Sequence, residues 1–224
     1  MRTLLSIFVF TYLSQSAFAQ TDIPAPKLEG PEIAVPKAPD PKSEPKSDVQ
    51  EKANKDLTVR SEAGRSEMLS ELFASLKIAP DADSGKLVAE EIWAVFLQSG
   101  SASVDFALLR GIAAQNRGDL ILARRMFNHV TRLQPDYAEG WARSGRLAIE
   151  EKDVNRAVSE ISQSLTLEPR HFYSLWMLGG ILEKLGKSDN AYEVYIEALK
   201  LYPEHAEIKE RVEFLQESAL GKAL

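Results

Sequence analysis

The feature that most constrains the fold of this chain is a repeat with a period of 34 residues. Proline returns at Pro135, Pro169 and Pro203, and three further columns keep the same interval. Those columns hold small or bulky residues in matching places: Gly111, Gly145 and Gly179; Ala123, Ala157 and Ala191; Phe127, Ile161 and Tyr195. Columns in register at this period are typical of helix-turn-helix units that stack into a solenoid. The sequence therefore predicts an all-α fold.

Each column has a steric or hydrogen-bonding reason. The small residues lie where two helices approach closely, and the bulky ones fill the space between one helix pair and the next. Each proline ends a helix, because it lacks an N–H and restricts the residue before it. Asp136 precedes Glu139 by three residues, which is the spacing of a capping box that would start the next helix. Residues 132–141 are therefore predicted to be a joint between two units.

These columns resemble the tetratricopeptide repeat (TPR) pattern W-x2-L-G-x2-Y…A-x3-F…P, with TPR 1 at residues 104–137, TPR 2 at 138–171 and TPR 3 at 172–205. TPR 2 departs from the pattern at Ser144, and TPR 1 departs from it at Ala107 and Arg110. TPR 3 matches best, with these residues in the expected columns: Leu175, Leu178, Gly179, Gly186, Ala191, Tyr195, Ala198 and Pro203. The resemblance implies a right-handed helix-turn-helix solenoid that binds other proteins.

The chain also resembles exported or membrane-tethered TPR proteins of alphaproteobacteria. The resemblance rests on LSELFASLKIAPD, EEIWAVFLQSGS, PDYAEGW and LEPRHFYSLWMLGGILEKLGK, and it covers nearly all of residues 62–205. It implies a Gram-negative periplasm rather than any activity. The chain departs from this set at Tyr173 and Trp176, where small residues are expected.

The first nineteen residues are typical of a secretory signal peptide. Arg2 forms a short basic region, an apolar run covers residues 3–13, and the AFA motif predicts cleavage between Ala19 and Gln20. The apolar run is shorter than the ~20 residues that a bilayer requires, which favours a cleaved signal over an uncleaved anchor. We therefore expect an exported, periplasmic protein with no membrane insertion after cleavage.

The remaining segments flank the repeats. Residues 20–59 hold seven of the eleven prolines and predict a disordered linker, either a passive spacer or a docking segment. Residues 60–103 carry two apolar helical stripes, predicting an N-terminal hairpin that closes the N-terminal end of the stack, as a degenerate repeat or otherwise. Residues 206–224 predict a C-terminal capping helix, with Ile208 and Val212 facing TPR 3.

Composition excludes several classes of function. The chain has no cysteine, so structural disulfides, thiolate metal sites and cysteine nucleophiles are excluded. A formal net charge of −6 gives no reason to bind nucleic acid. His171 and His205 occupy the same position of two successive repeats, which explains them better than metal ligation does. No catalytic motif is present. We expect no enzyme activity, no cofactor and no metal site.

By resemblance, the first helices of the repeats line a concave groove. The family's clamp for acidic C-terminal tails uses Lys, Asn and Arg, but its positions hold Leu108, Ile112, Arg146, Trp176 and Gly180 here, so that clamp is absent. Trp176 is either a binding anchor or a residue that packs under the hairpin or a neighbouring helix, whereas Trp93 and Trp141 are expected to be structural. The predicted peptide-binding groove consists of Leu108, Ile112, Arg146, Ile149, Tyr173, Trp176 and Lys184.

Three hypotheses about function follow. The first is a periplasmic scaffold that holds a peptide or helix of an envelope protein in the groove, in envelope assembly, maintenance or division. The second is a structural module that associates with copies of itself. The third is an accessory subunit of an envelope enzyme complex.

Overall fold

The computed structural model describes the backbone of residues 62–221 and the side chains of residues 64–217. The predicted signal peptide, its predicted cleavage between Ala19 and Gln20, and the predicted linker at 20–59 lie outside these residues. Within them the chain is entirely helical, without a strand, and no helix is long and apolar enough to cross a membrane. The helices are α1 Glu62–Lys77, α2 Ala82–Phe96, α3 Ala102–Asn116, α4 Leu120–Leu133, α5 Ala138–Glu150, α6 Val154–Leu167, α7 Phe172–Lys184, α8 Ser188–Leu201 and α9 Ala206–Gly221.

The predicted all-α solenoid is confirmed. Helices α3 and α4, α5 and α6, and α7 and α8 form three pairs that pack on one another in chain order. Close approach within a pair depends on the glycine column: a Cβ at Gly111 would lie 2.5 Å from the Phe127 ring, and one at Gly145 would lie 2.6 Å from Ile161. These distances are well inside van der Waals contact, so a larger residue would push the helices of that pair apart.

The turn inside each pair has the same backbone geometry. Gly118, Lys152 and Gly186 share one column and have φ values of 76°, 62° and 71°. The next amide donates to a carbonyl five residues earlier, as Asp119 does to Ala114 at 2.9 Å, which is the Schellman ending of a helix. Glycine adopts this left-handed conformation without steric cost, but a lysine does not. The turn of the middle pair is therefore strained.

The joints between pairs differ from expectation in two respects. The capping box predicted from Asp136 and Glu139 is wrong, because Tyr137 is the N-cap of α5 and makes no side-chain capping bond. Glu139 is instead buried in an ion pair. Trp141, expected in the core, is partly exposed and donates from Nε1 to the Pro135 carbonyl at 2.8 Å. It fastens the start of α5 to the joint before it.

The N-terminal hairpin of α1 and α2 does not stack on α3 as another repeat. Its buried side chains share one core with the second and third pairs, whereas the first pair has a core of its own. Phe106 on α3 stays 67% exposed, so the hairpin does not cover that side chain. The expectation that the hairpin closes the N-terminal end is corrected, because its aromatic side chains meet Phe172 and Tyr173 on α7 and the Arg143 guanidinium on α5 instead.

The C-terminal helix α9 packs against α8. Ile208, Val212 and Leu215 are buried there, and Arg211 forms an ion pair with Glu183 at the end of α7. The last pair therefore has its apolar face covered, as the end of a solenoid requires.

Replacing Lys152 with glycine should stabilise the fold. Lys152→Gly removes a left-handed side-chain penalty and should raise the free energy of unfolding by about 0.5–1 kcal/mol, after allowing for the freedom that glycine adds to the unfolded chain. The measurement is the urea midpoint at constant m-value. Gly186→Ala is the matched change in the opposite direction. An added Cβ there meets no atom within 4 Å, so only the left-handed φ of 71° opposes the alanine, and the midpoint should fall. A lower midpoint for Lys152→Gly would contradict the assignment of strain.

Candidate functional site

A buried polar cluster lies at the joint between the second and third pairs. It consists of Glu139 and Arg143 on α5 and of His171 at the N-cap of α7, and none of the three is more than 2% exposed. Arg143 Nε donates to Glu139 Oε1 at 2.5 Å, and His171 Nε2 lies 2.9 Å from Glu139 Oε2. Both oxygens of one carboxylate are thus paired, which is what a buried charge requires.

The hydrogen bonds of His171 indicate its tautomer. The backbone N–H of Ser174 donates to His171 Nδ1 at 3.1 Å, so Nδ1 carries no proton and acts as the N-cap acceptor of α7. Neutral imidazole then carries its proton on Nε2 and donates to Glu139. The same ring starts one helix and binds the helix of the preceding pair, so it couples two repeats.

The carboxyl of Glu139 is held ionised. Burial by itself would raise its pKa, but the Arg143 charge and the hydrogen bond from His171 outweigh burial and hold the pKa below its ordinary value of 4.5. The joint therefore contains a permanent negative charge near neutral pH, neutralised mainly by Arg143.

Aromatic side chains of α2 cover this cluster. The Phe96 ring stacks on the His171 ring with centroids 4.6 Å apart, and the Trp93 ring lies 4.7 Å from the Arg143 guanidinium carbon. Trp93 also meets the Tyr173 ring edge-to-face at 5.0 Å. We call Trp93 and Phe96 the aromatic cover. Cation–π and stacking contacts of this kind add to the apolar area that the two rings bury.

The predicted groove residues divide into a covered half and an open half. Leu108, Ile112, Tyr173 and Trp176 are all at most 5% exposed, Arg146 and Ile149 are partly buried, and Lys184 is exposed. In the covered half, Tyr173 and Trp176 lie at the start of α7, where the Trp93 ring of α2 meets Tyr173, whereas Leu108 and Ile112 are buried in the core of the first pair. The open half lies towards the ends of the first helices, where Arg146 and Lys184 project. That these residues bind a peptide of another protein stays a prediction.

Trp176 is 2% exposed. It packs between the Tyr173 ring at 5.7 Å and the His205 ring at 5.8 Å. In this conformation Trp176 is therefore a packing residue and not an exposed binding anchor. Burial lowers the pKa of His205 from 6.5 to about 4, which keeps this neighbour uncharged at neutral pH. The cluster around Trp176 is therefore apolar in character.

Several buried donors in this region lack an acceptor within the described side chains and backbone. They are Arg143 Nη2, Trp93 Nε1 and Trp176 Nε1. An unpaired buried donor costs about 1–3 kcal/mol. The covered half of the groove is thus well filled with rings but incompletely hydrogen-bonded, which is unusual for a core that serves packing alone.

The sequence alone did not point to Arg143, Phe96 or the true role of Glu139. Glu139 and Arg143 stand four residues apart on one helix, and His171 occupies the last position of its repeat, a spacing that could have suggested a joint network. Nothing local indicates that α2 lies over them, because that contact joins residues far apart in the chain. Over residues 64–217, no group of three His, Asp or Glu could hold a metal ion.

Comparison with known proteins supports the repeat assignment. A family model for the tetratricopeptide repeat matches residues 172–205. A TPR repeat-containing protein of Rhizobium etli is 29% identical over 153 residues, which cover 68% of this chain and 75% of that protein. The first TPR domain of Spaghetti (RPAP3), solved with the HSP90 peptide SRMEEVD, has a TM-score of 0.50 at 14% identity over 52% of this chain and 93% of that one.

The chain is a tetratricopeptide repeat protein. The Sgt2 TPR domain of Aspergillus fumigatus agrees in fold, with a TM-score of 0.51 at 13% identity over 55% of this chain and 83% of that one. At such identities the two structures show the fold alone. The TPR fold suggests a scaffold for protein–protein interaction.

Neutralising Glu139 should unfold the joint and change the acid response. Glu139→Gln leaves the buried Arg143 charge without its partner and should lower the free energy of unfolding at pH 7 by about 3–5 kcal/mol. Because the pKa of Glu139 is lower in the folded state, its charge stabilises the fold above about pH 4.5, and this contribution is lost as the pH falls through the folded-state pKa.

The measurement is urea unfolding of wild type and variant from pH 7 to pH 3. Stability of the wild type should fall below about pH 4.5, and part of that fall should be absent in Glu139→Gln. Glu67→Gln, at an exposed position on α1, is the matched control and should leave both values unchanged. Parallel pH profiles for all three proteins would contradict the assigned role of Glu139.

Proposed function

We propose that this protein is a periplasmic scaffold whose concave face holds a helix or peptide of another envelope protein. The observation that carries the proposal is α2 itself: an amphipathic helix lies across the starts of α5 and α7, with Trp93 and Phe96 seated among Arg143, His171 and Tyr173. A face that accommodates one helix in this way has the shape and chemistry for helix-in-groove recognition.

The open half of the groove supplies the charged contacts of the proposed interface. Arg146 is 17% exposed and lies 3.7 Å from the Glu150 carboxylate, which also accepts from Gln115 Nε2 at 2.7 Å. Lys184 is exposed on the neighbouring first helix. These side chains form a polar rim beside an aromatic centre, as protein interfaces commonly have. The first TPR domain of the protein Spaghetti was solved with a bound peptide, which further supports peptide binding by this chain.

The periplasmic location and the role in the cell envelope rest on the sequence of residues 1–19 and on the resemblance to exported relatives. A fusion of residues 1–60 to an alkaline phosphatase reporter tests the location. Phosphatase activity should appear in intact cells, because this enzyme becomes active only after export. The matched control carries two charges, Leu5→Arg and Phe8→Arg, in the apolar run and should abolish the signal. Equal activity with and without these charges would contradict export.

Site-specific crosslinking tests the interface. A photo-reactive amino acid at Lys184 should crosslink to a protein of the envelope fraction, whereas one at Lys187, on the turn beyond α7, should not. Adding Arg146→Glu to the Lys184 probe should reduce the crosslinked product about tenfold, since a rim charge is reversed. Equal yields from the two positions, or a product unaffected by Arg146→Glu, would contradict binding at this face. A product containing a second copy of the chain would favour self-association instead.

A further inference from the structure

We infer that the hairpin of α1 and α2 is an internal ligand of the groove and that a partner helix binds by displacing it. The inference rests on the proposed function for the existence of a partner, but the displacement itself can be measured without one. It concerns regulation of the same surface: α2 occupies the part of the groove at Arg143 and Tyr173 in this conformation, and access of a partner to that part depends on release of α2.

Helix α2 runs across several repeats, as a bound ligand does, instead of packing on one neighbour as a further repeat would. Its contacts fall on equivalent places of successive repeats: the Tyr137 hydroxyl donates to the Phe96 carbonyl at 2.6 Å, and the His171 ring stacks on the Phe96 ring. At the other end of α2, a Cβ added to Gly85 would lie 2.7 Å from the Tyr202 ring. One helix therefore crosses the joints of all three pairs, whereas a repeat would pack against its nearest neighbour only.

The pairs do not depend on α2 for their own packing. Phe127, Ile161 and Tyr195 are fully buried against the glycine columns of their own pairs. Helix α9 packs along α8 of the last pair, to which α1 of the hairpin adds a smaller contact. Departure of α2 would uncover the starts of α5 and α7 but leave the contacts that hold each pair together.

The chemistry of the contact also leaves room for a better ligand. The carbonyls of α2 accept within that helix except in its last turn, where Tyr137 uses the Phe96 carbonyl, and the side chains of the aromatic cover carry no acceptor. Arg143 Nη2 and Trp176 Nε1 consequently stay without an acceptor in the described chain. A partner helix with large apolar residues in the places of Trp93 and Phe96, and with a carboxylate or amide directed at Arg143, would satisfy donors that α2 does not. That is the class of partner the groove fits.

The link between α2 and α3 can act as the hinge. Gly100 has a φ of 84°, a conformation that glycine adopts readily, and the segment before it is held by side-chain bonds that can reform. Gln134 Nε2 donates to the Ser99 carbonyl at 3.0 Å, and the Ser99 amide donates to Asp105 at 2.7 Å. Because the hairpin stays tethered, it competes with a partner at high effective concentration. The apparent affinity of the partner is therefore reduced in proportion to the fraction of molecules in which the hairpin is released.

The first experiment measures release in the full chain by native-state hydrogen exchange. Amides of α1 and α2 should exchange faster than those of α5 and α7 in the wild type, since the hairpin opens without unfolding of the pairs. Trp93→Ala should speed exchange of the hairpin alone by about 100-fold. Tyr137→Phe, which removes one hydrogen bond and no ring, should speed it several-fold. Leu87→Ala, at a residue of α2 that is 64% exposed, is the matched control and should change nothing.

The second experiment uses a fluorescent peptide of residues 82–98 as the probe for the open groove. Wild type should bind it weakly, and Trp93→Ala should bind it about 100-fold more tightly, because its own α2 no longer competes well. A peptide that itself carries Trp93→Ala should not bind. Exchange of α1 and α2 only together with α5 and α7 would overturn the inference, and so would equal peptide binding by wild type and Trp93→Ala.

These outcomes separate the inference from the proposed function. Faster hairpin exchange and peptide capture, without any crosslinked partner at Lys184, would sustain the internal ligand and refute the scaffold. A crosslinked partner that binds wild type and Trp93→Ala equally well would sustain the scaffold and refute displacement.

Discussion

The close approach of the two helices in each pair is the constraint on which the rest of the structure depends. Gly111 and Gly145 let the bulky residue of the next helix lie almost against the backbone, so the angle and separation within each pair are fixed by one contact. Since the contact recurs at every repeat, the first helices lie side by side at a constant offset. A continuous face of first helices, and hence a groove, is a geometric consequence of this small residue.

The joint between the second and third pairs adds a different kind of constraint. Glu139, Arg143 and His171 bury a charge between two repeats, which is costly unless every partner is in place. The angle between those repeats therefore has little freedom, because a small rotation would separate the His171 ring from the Glu139 carboxylate. The same cluster presents a flat imidazole and a guanidinium to α2. Rigidity of the joint and recognition of the aromatic cover come from the same three side chains.

The periodic part of the fold could be predicted from the sequence and the non-periodic part could not. The 34-residue columns predict where the helices lie and which helices pack together, because each column occupies the same packing position in every repeat. The stripe of α2 also predicted a helix with a buried face. It gave no sign of which surface buries that face, since docking of Phe96 on His171 joins residues 75 positions apart. Trp176 stood out by its departure from the pattern, but the pattern did not indicate that the Tyr173 and His205 rings pack on it.

A groove lined by Tyr173, Trp176 and the starts of the first helices would expose a contiguous aromatic surface if nothing lay over it. Such surfaces promote non-specific association with other proteins. Covering the surface with a tethered helix prevents this at little cost in entropy, because the tether keeps the helix close. The unpaired donors of Arg143 and Trp176 then bias exchange towards a ligand that can hydrogen-bond to them, which gives specificity through groups that the internal helix leaves unused.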